Sequence, residues 1–328
     1  MLKVGLIGCG GIGAMHAECW LSLADKVKLV AVADSCVEKA NRYSERSGAR
    51  VYADGMELLE MEQLDIVDIC VPTFLHAEYV LRAAEVCRNI LVEKPVCLHE
   101  REAELLLAAR KKYGARIQVG HVVRFTGAYK YLKDVVSAGT YGAVVAGHFS
   151  RISGRPVWMK GHDDRNRTGT MALDLHIHDA DYIRYLMGGE PDKTEVCGTR
   201  NKEGIIQHLW SSYRYGDAVM VAEASWDYPK MYPFAATFRV KLEKAAITMD
   251  SKGVLTVYPE EGEAFAPKLE KPVMKDMGIN VSDMGPYLNE IRYFLELIEE
   301  GGTDGIASLE EAVASFRLVK KEIKNLED

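Results

Sequence analysis

The sequence has no run of ~18 consecutive apolar residues, so it offers no candidate for a membrane-spanning helix. It has no basic excess either: 41 Lys and Arg stand against 48 Asp and Glu, a formal charge of −7, which provides no basic surface for nucleic acid or an acidic membrane. It has no CxxC pair. Its seven cysteines (Cys9, Cys19, Cys36, Cys70, Cys87, Cys97 and Cys197) are an odd number scattered through apolar segments, which suits packed thiols in a reducing compartment better than a disulfide framework. There is no internal repeat and no low-complexity linker. Met1 is followed at once by the strand-like LKVGLIG, which leaves no room for a charged n-region, an apolar h-region and a cleavage site, so a cytoplasmic protein is expected.

What the chain does contain is enough for two domains, with 328 residues of which 48% are hydrophobic. Up to about Gly120, β-rich runs (LKVGLI, VKLVAVA, LDIVDICV, NILVE, RIQVG) alternate with helical patterns. This rhythm predicts βαβ units and a doubly wound parallel sheet, a Rossmann-type α/β domain over residues 1–120. The first helix carries Ile12, Met15, Cys19, Trp20 and Leu23 at a spacing that makes one apolar stripe to lie on the sheet.

From 121 to 328 the runs lengthen and hairpin signals appear. IIQHLWSSYRY and AVMVAEASW flank Gly216-Asp217, while FRVKLEKAAITMD and VLTVY flank Ser251-Lys252-Gly253. An α+β domain with an open, mostly antiparallel sheet is expected there, closed by helices near 286–300 and 308–328. The outer face of such a sheet needs covering, and a homo-oligomer is the ordinary way to do it.

Gly8-Cys9-Gly10-Gly11-Ile12-Gly13 fits GxGxxG between a strand and a helix. A glycine turn there lets the backbone approach a pyrophosphate, whose charge sits at the positive helix N-terminus. The next strand ends at Asp34, 21 residues past Gly13, where a carboxylate can accept both ribose hydroxyls of an adenosine. Asp34 repels a 2′-phosphate and no arginine follows it immediately, so NAD is preferred over NADP. Further on, NILVEKP runs from a buried strand into Glu93-Lys94 at its carboxyl end, where ligands of open α/β sheets bind. A partly desolvated lysine there, near a second cation, is suited to proton transfer.

The chemistry of the second half is concentrated in LDLHIHDAD, residues 173–181, with two histidines and three aspartates in nine positions. The run continues through YIRYLM to Gly188-Gly189 with Pro191 beyond, which predicts a helix that stops there. On it Asp174, His178, Asp181 and Tyr185 form one polar stripe, and His176, Ala180, Ile183 and Met187 another face. The two histidines then point about 200° apart and cannot chelate one ion together, so acid/base chemistry is expected in place of a metal site. His176 reads as a core histidine bonded to backbone, or, if the helix begins later, as a group that touches substrate or supports one that does.

Together, Gly8, Gly10, Gly13, Asp34, the VPTFLH run at 71–76, Glu93-Lys94-Pro95 and DLHIHDAD resemble the Gfo/Idh/MocA family of sugar and cyclitol dehydrogenases over nearly the whole chain. The resemblance implies that Lys94, Asp174 and His178 are catalytic, the lysine and histidine serving the substrate carbinol and the aspartate assisting. It implies that Gly8, Gly10, Gly11, Ile12, Gly13, Asp34, Pro72, Thr73, His76, Glu93 and Lys94 bind the cofactor. His121 and Arg124, in a segment that lines the sugar pocket in relatives, become substrate-binding candidates with Asp174 and His178. So does Trp158, in the loop GRPVWMKGHDDRNRTG, where arginines and aromatic rings suit carboxylates, phosphates and sugar faces. His176 departs from the family, which usually has glycine there.

The expected activity is hydride transfer between NAD and a secondary alcohol of a sugar, sugar derivative or cyclitol. Two alternatives come from the same fold: an NAD-dependent glycoside-cleaving enzyme with transient oxidation and no net redox change, and a non-catalytic dinucleotide sensor. Net NADH release separates the first from a dehydrogenase, and tight NAD binding without turnover marks the second.

Overall fold

The structure is a computed structural model and describes residues 1–155, 164–269 and 283–327. The chain forms two compact units, one from Met1–Val122 with the described part of Pro272–Ala314, the other from the described parts of Val123–Lys271 and Ser315–Asp328.

The first unit is the expected parallel sheet. Its strands are β1 (Leu2–Ile7), β2 (Val27–Ala33), β3 (Arg50–Tyr52), β4 (Ile66–Ile69), β5 (Asn89–Glu93) and β6 (Arg116–Gly120), separated by α1 (Gly11–Ser22), α2 (Val37–Ser47), α3 (Gly55–Met61), α4 (His76–Val86) and α5 (Glu100–Tyr113). The strand order β3-β2-β1-β4-β5-β6 reverses direction between β1 and β4, the switch point at which such sheets open a crevice beyond their carboxyl ends. β4 and β5 are buried along their whole length, as strands covered on both faces must be. The short β3 has no signal of its own in the sequence, since three residues are too few to show a period.

The second unit begins with α6 (Gly127–Ser137) and β7 (Val144–Gly154), continues through a π-helical turn (Ala172–His176) into α7 (Ile177–Met187), and then lays down β8 (Lys193–Arg200), β9 (Ile206–Tyr215), β10 (Ala218–Tyr228), β11 (Ala235–Leu242), β12 (Ala245–Met249) and β13 (Leu255–Pro259). The sheet order is β13-β12-β11-β7-β10-β9-β8, antiparallel throughout except where β7 runs parallel to β10. One face packs Phe149 and Phe238 against Tyr129 of α6 and Tyr182 of α7. The other carries His148, His208, Trp210 and Glu223, with Trp210 stacked on His148. FRVKLEKAAITMD, read as a single run, is two strands: Lys241 pairs with Ala246 across a reversal at Glu243-Lys244. That reversal has no glycine, asparagine or aspartate to announce it.

The C-terminal stretch supplies α8 (Gly285–Glu299) and α9 (Leu309–Glu327). Tyr287, Leu288, Ile291, Phe294 and Leu295 of α8 join the core cluster that contains Met15, Cys19 and Trp20 of α1. The single apolar stripe expected of α1 is therefore too narrow. Every residue from Gly13 to Trp20 is buried, including His16 and Glu18, because α1 is covered by the sheet on one side and by α8 on the other. Cys36 and Cys197 are exposed, so two of the seven cysteines are not packing residues. No described helix is long and apolar enough to cross a membrane.

Phe294 is fully buried between these layers, and Phe294→Ala is expected to cost about 3–5 kcal/mol through lost contacts and a cavity. Urea unfolding would show this as a lower midpoint, while Met231→Ala, at a side chain 90% exposed, should stay within about 0.5 kcal/mol of the parent.

Candidate functional site

In the first unit the candidate residues gather at the carboxyl ends of neighbouring strands. Gly8 follows β1 with φ +94°, and a Cβ there would come 2.5 Å from the Cys70 carbonyl oxygen at the end of β4. Gly13 lies so close under the turn that its Cβ would come 1.9 Å from the Gly8 oxygen. Gly10, by contrast, has nothing within 4 Å of where a Cβ would stand. Two glycines thus close the turn and the third keeps its outer side open, with the first turn of α1 behind it. Asp34, half-buried after β2, accepts from Cys9 N at 2.7 Å and from Cys36 N at 2.8 Å, so both oxygens are oriented beside the turn. This cradle and its acidic partner fit a dinucleotide. Burial pushes the Cys9 thiol up to about 12, which keeps it protonated there.

Pro72 is exposed and Thr73 half-buried just past β4. Lys94 is half-buried after β5, and its peptide bond to Pro95 is cis. Two residues assigned to the cofactor are turned inward instead. The His76 ring is buried between the loop after β4 and the loop after β5, with Nδ1 2.7 Å from the Pro95 oxygen and Nε2 2.8 Å from the Val71 oxygen. Burial outweighs those carbonyls and lowers its pKa. Glu93 accepts from Lys94 N at 3.1 Å and lies 3.2 Å from His16 Nε2.

Sequence reasoning missed what stands behind Glu93. His16 Nδ1 is 2.9 Å from Asp68, which also accepts from Trp20 Nε1 at 2.6 Å. Burial alone would lower the imidazole's pKa, but the Asp68 carboxylate raises it well above the ordinary value. His16, Asp68 and Cys70 offer ligand atoms within 4.8 Å of one another. The carboxylate is already held by an imidazole and an indole, and burial keeps the thiol protonated, so the group reads as a hydrogen-bonded network. A charged residue inside the apolar run LDIVDIC was the available signal, since such a residue demands a partner.

In the second unit the nine-residue run is divided among separate tasks. Arg151 donates to Asp179 through Nε and Nη2, both at 3.0 Å. Arg124 donates to Asp181 through Nε at 2.8 Å and Nη2 at 2.6 Å, with its guanidinium 4.7 Å from the Tyr185 ring centre. Ser315 of α9 also donates to Asp181, at 2.7 Å. All four members of the two ion pairs are buried. Asp181 is thus a buried ion-pair partner within the expected stripe, and Arg124 a buried partner of α7. His176 is buried as expected, but it bonds to the Glu322 carboxylate at 2.8 Å and not to backbone. Asp174 and His178 remain half-buried, four positions apart. The expected helix from Asp174 onward starts as a π turn and becomes α-helical only at Ile177. His121, after β6, is buried, and Trp158 lies outside the described residues.

Residues 2–121 match the GFO_IDH_MocA model, described as an oxidoreductase family with an NAD-binding Rossmann fold, and residues 129–248 match the GFO/IDH/MocA C-terminal domain. A protein named myo-inositol 2-dehydrogenase from Thermotoga maritima is 32% identical over 60% of this chain and 58% of its own length. An inositol 2-dehydrogenase from Rhizobium meliloti is 28% identical over 97% of both chains. The matched stretch spans only 57% to 59% of the length of three of the curated relatives. Among solved structures, an oxidoreductase from Agrobacterium radiobacter in complex with NAD+, L-tartaric acid and magnesium has the same fold. Its TM-score is 0.86 at 18% identity, over 100% of this chain and 96% of that one.

Gly13→Ala is expected to abolish dinucleotide binding, because its methyl would meet the Gly8 carbonyl. Asp34→Ala should weaken NAD binding by about 1.5–3 kcal/mol per lost charge-assisted hydrogen bond. Titration of NADH fluorescence measures both; wild-type affinity in Gly13→Ala would remove the turn from the site.

Proposed function

Because the chain belongs to the Gfo/Idh/MocA family of oxidoreductases, we propose that it is an NAD-dependent dehydrogenase acting on a secondary alcohol of a sugar, sugar derivative or cyclitol. The observation that carries this reading is the division of labour in α7 and the turn before it. Asp179 and Asp181 are neutralised by buried arginines. Asp174 and His178, four positions apart, are half-buried. A histidine with a carboxylate four residues earlier, on the scaffold of a dinucleotide-binding oxidoreductase, is the equipment of an alcohol dehydrogenation.

In this reading the backbone of Gly8, Gly10, Gly11, Ile12 and Gly13 binds the pyrophosphate, and Asp34 binds the ribose and disfavours NADP. Pro72 and Thr73 form the rim of the dinucleotide site. Glu93 and His76 support the loop that carries Lys94. When bound, the dinucleotide supplies the hydride acceptor. Lys94 and His178 manage the hydroxyl proton, one removing it and the other holding the oxygen, while Asp174 orients the histidine or a neighbouring hydroxyl. His121 and Trp158 are assigned to the substrate side, and Arg124 to holding Asp181. The relatives named as inositol dehydrogenases support a cyclitol or similar polyol as the substrate class. Exposed Trp210 and Val219 on the open face of the second sheet support a homo-oligomer that covers it.

Lys94→Ala and His178→Ala should each lower turnover by ~10² to 10⁴ with dinucleotide affinity retained. NADH absorbance in a screen of polyols, aldoses, uronates and nucleotide sugars supplies the assay. Wild-type turnover in both variants would remove these residues from the chemistry, and tight NAD binding with no turnover on any substrate would favour a sensor. Light scattering is expected to report a dimer or tetramer at micromolar concentration; a monomer would count against the covered face.

A further inference from the structure

We propose that His176 and Glu322 form a buried anchor that sets the position of Asp174 and His178, which makes His176 a positioning residue for the proton transfer. The inference rests on the reading of Asp174 and His178 given above and adds what holds them in place.

Three observations meet at this point of the chain. First, Ala172–His176 is a π-helical turn, a form that lengthens the hydrogen-bonded loop and is uncommon unless surroundings impose it. Asp174 lies inside the turn and His178 two residues after it. Second, the backbone enters the turn through Gly169 at φ +73° and Thr170 at φ +62°. Thr170 is a buried β-branched residue, and the left-handed region is unfavourable for such a side chain unless the surrounding structure over-determines it. Third, the residue that ends the turn is bonded to a distant part of the chain. His176 Nε2 lies 2.8 Å from Glu322 Oε2 on α9, with Tyr213 Oη at 3.2 Å and Ser211 Oγ at 3.4 Å, both from β9. The imidazole and the carboxylate are each completely buried.

A π turn entered through a strained residue would relax towards an α-helix if nothing opposed it. Relaxation would rotate Asp174 relative to His178, because the two forms carry different numbers of residues per turn. It would also draw His176 away from Glu322 and strand two buried polar groups, which is the costly outcome for any buried pair. Arg151 and Arg124 fix α7 from Asp179 onward. The anchor fixes the turn that precedes it. A histidine needed for packing alone would not require a buried carboxylate from a segment 146 positions away.

The test compares the His176→Leu/Glu322→Leu double variant, which removes both buried polar groups while keeping apolar bulk, with Glu322→Gln, which keeps an acceptor for Nε2. Amide hydrogen exchange over residues 170–178 reads the turn directly. NADH absorbance with the best polyol of the screen reads kcat and KM, and NADH fluorescence with thermal unfolding reports the fold. In the folded double variant, exchange should rise and kcat should fall by roughly 10²-fold, the scale of an ångström-sized misplacement, with dinucleotide affinity unchanged. Glu322→Gln should keep most of both. Wild-type exchange in the folded double variant overturns the anchor whatever the kinetics, and so does wild-type kcat despite raised exchange, provided that Asp174→Ala and His178→Ala are inactive. If those two variants turn over normally while exchange rises, the anchor stands as a brace for the turn and the catalytic reading is what fails. Should the double variant not fold, Glu322→Asp, whose carboxylate is shorter by one methylene, is held to the same two outcomes.

Discussion

The orientation of one helix decides what the second unit can offer, and two buried arginine–aspartate pairs decide that orientation. Arg151 reaches Asp179 from β7, and Arg124 reaches Asp181 from just before α6. Each pair is bidentate and shielded from water, so removing one partner would leave an uncompensated charge at a cost of about 3–5 kcal/mol. A rotation of α7 would break both at once. The helix is therefore locked about its axis, and with it the positions of the half-buried Asp174 and His178. An acidic run that suggests acid/base chemistry along its whole length is largely a set of fastenings.

The first unit solves a related problem by a different route. Its sheet ends converge on a crevice, and the loops that leave them are tied to one another below the surface. His76 lies between the loop after β4 and the loop after β5, while Trp20, Asp68 and His16 form a buried polar group that reaches to 3.2 Å from Glu93, the residue before Lys94. The lysine is thereby carried by a loop whose backbone is held from two sides. Networks of this kind rigidify a site only when their members are paired, and the raised pKa of His16 reflects the carboxylate beside it.

What could be read in the sequence was what neighbouring residues determine. The glycine turn, the acid at the end of β2, the alternation of strands and helices and the Gly188 stop all depend on segments a few residues long. Gly188 indeed adopts φ +84° at the end of α7. What could not be read depends on distance. The partners of Asp179, Asp181 and His176 lie 28, 57 and 146 positions away. The π turn has no residue signature, so the uniform helical period that LDLHIHDAD suggests makes its polar stripe more regular than the π turn allows. The reversal at Glu243-Lys244 lacked turn residues, and α8 has the same amphipathic pattern whichever surface it covers.

The placement of α8 has a consequence for how the chain is made. The outer side of α1 is apolar and buried only because α8 lies on it, yet more than half the sequence separates Ser22 from Gly285. At synthesis rates of about 5–20 residues per second, that surface waits on the order of tens of seconds on the ribosome before its cover emerges. The dinucleotide-binding unit is thus an N-terminal module in composition but among the last parts of the molecule to be finished. Any fragment cut at the end of β6 would inherit its bare flank.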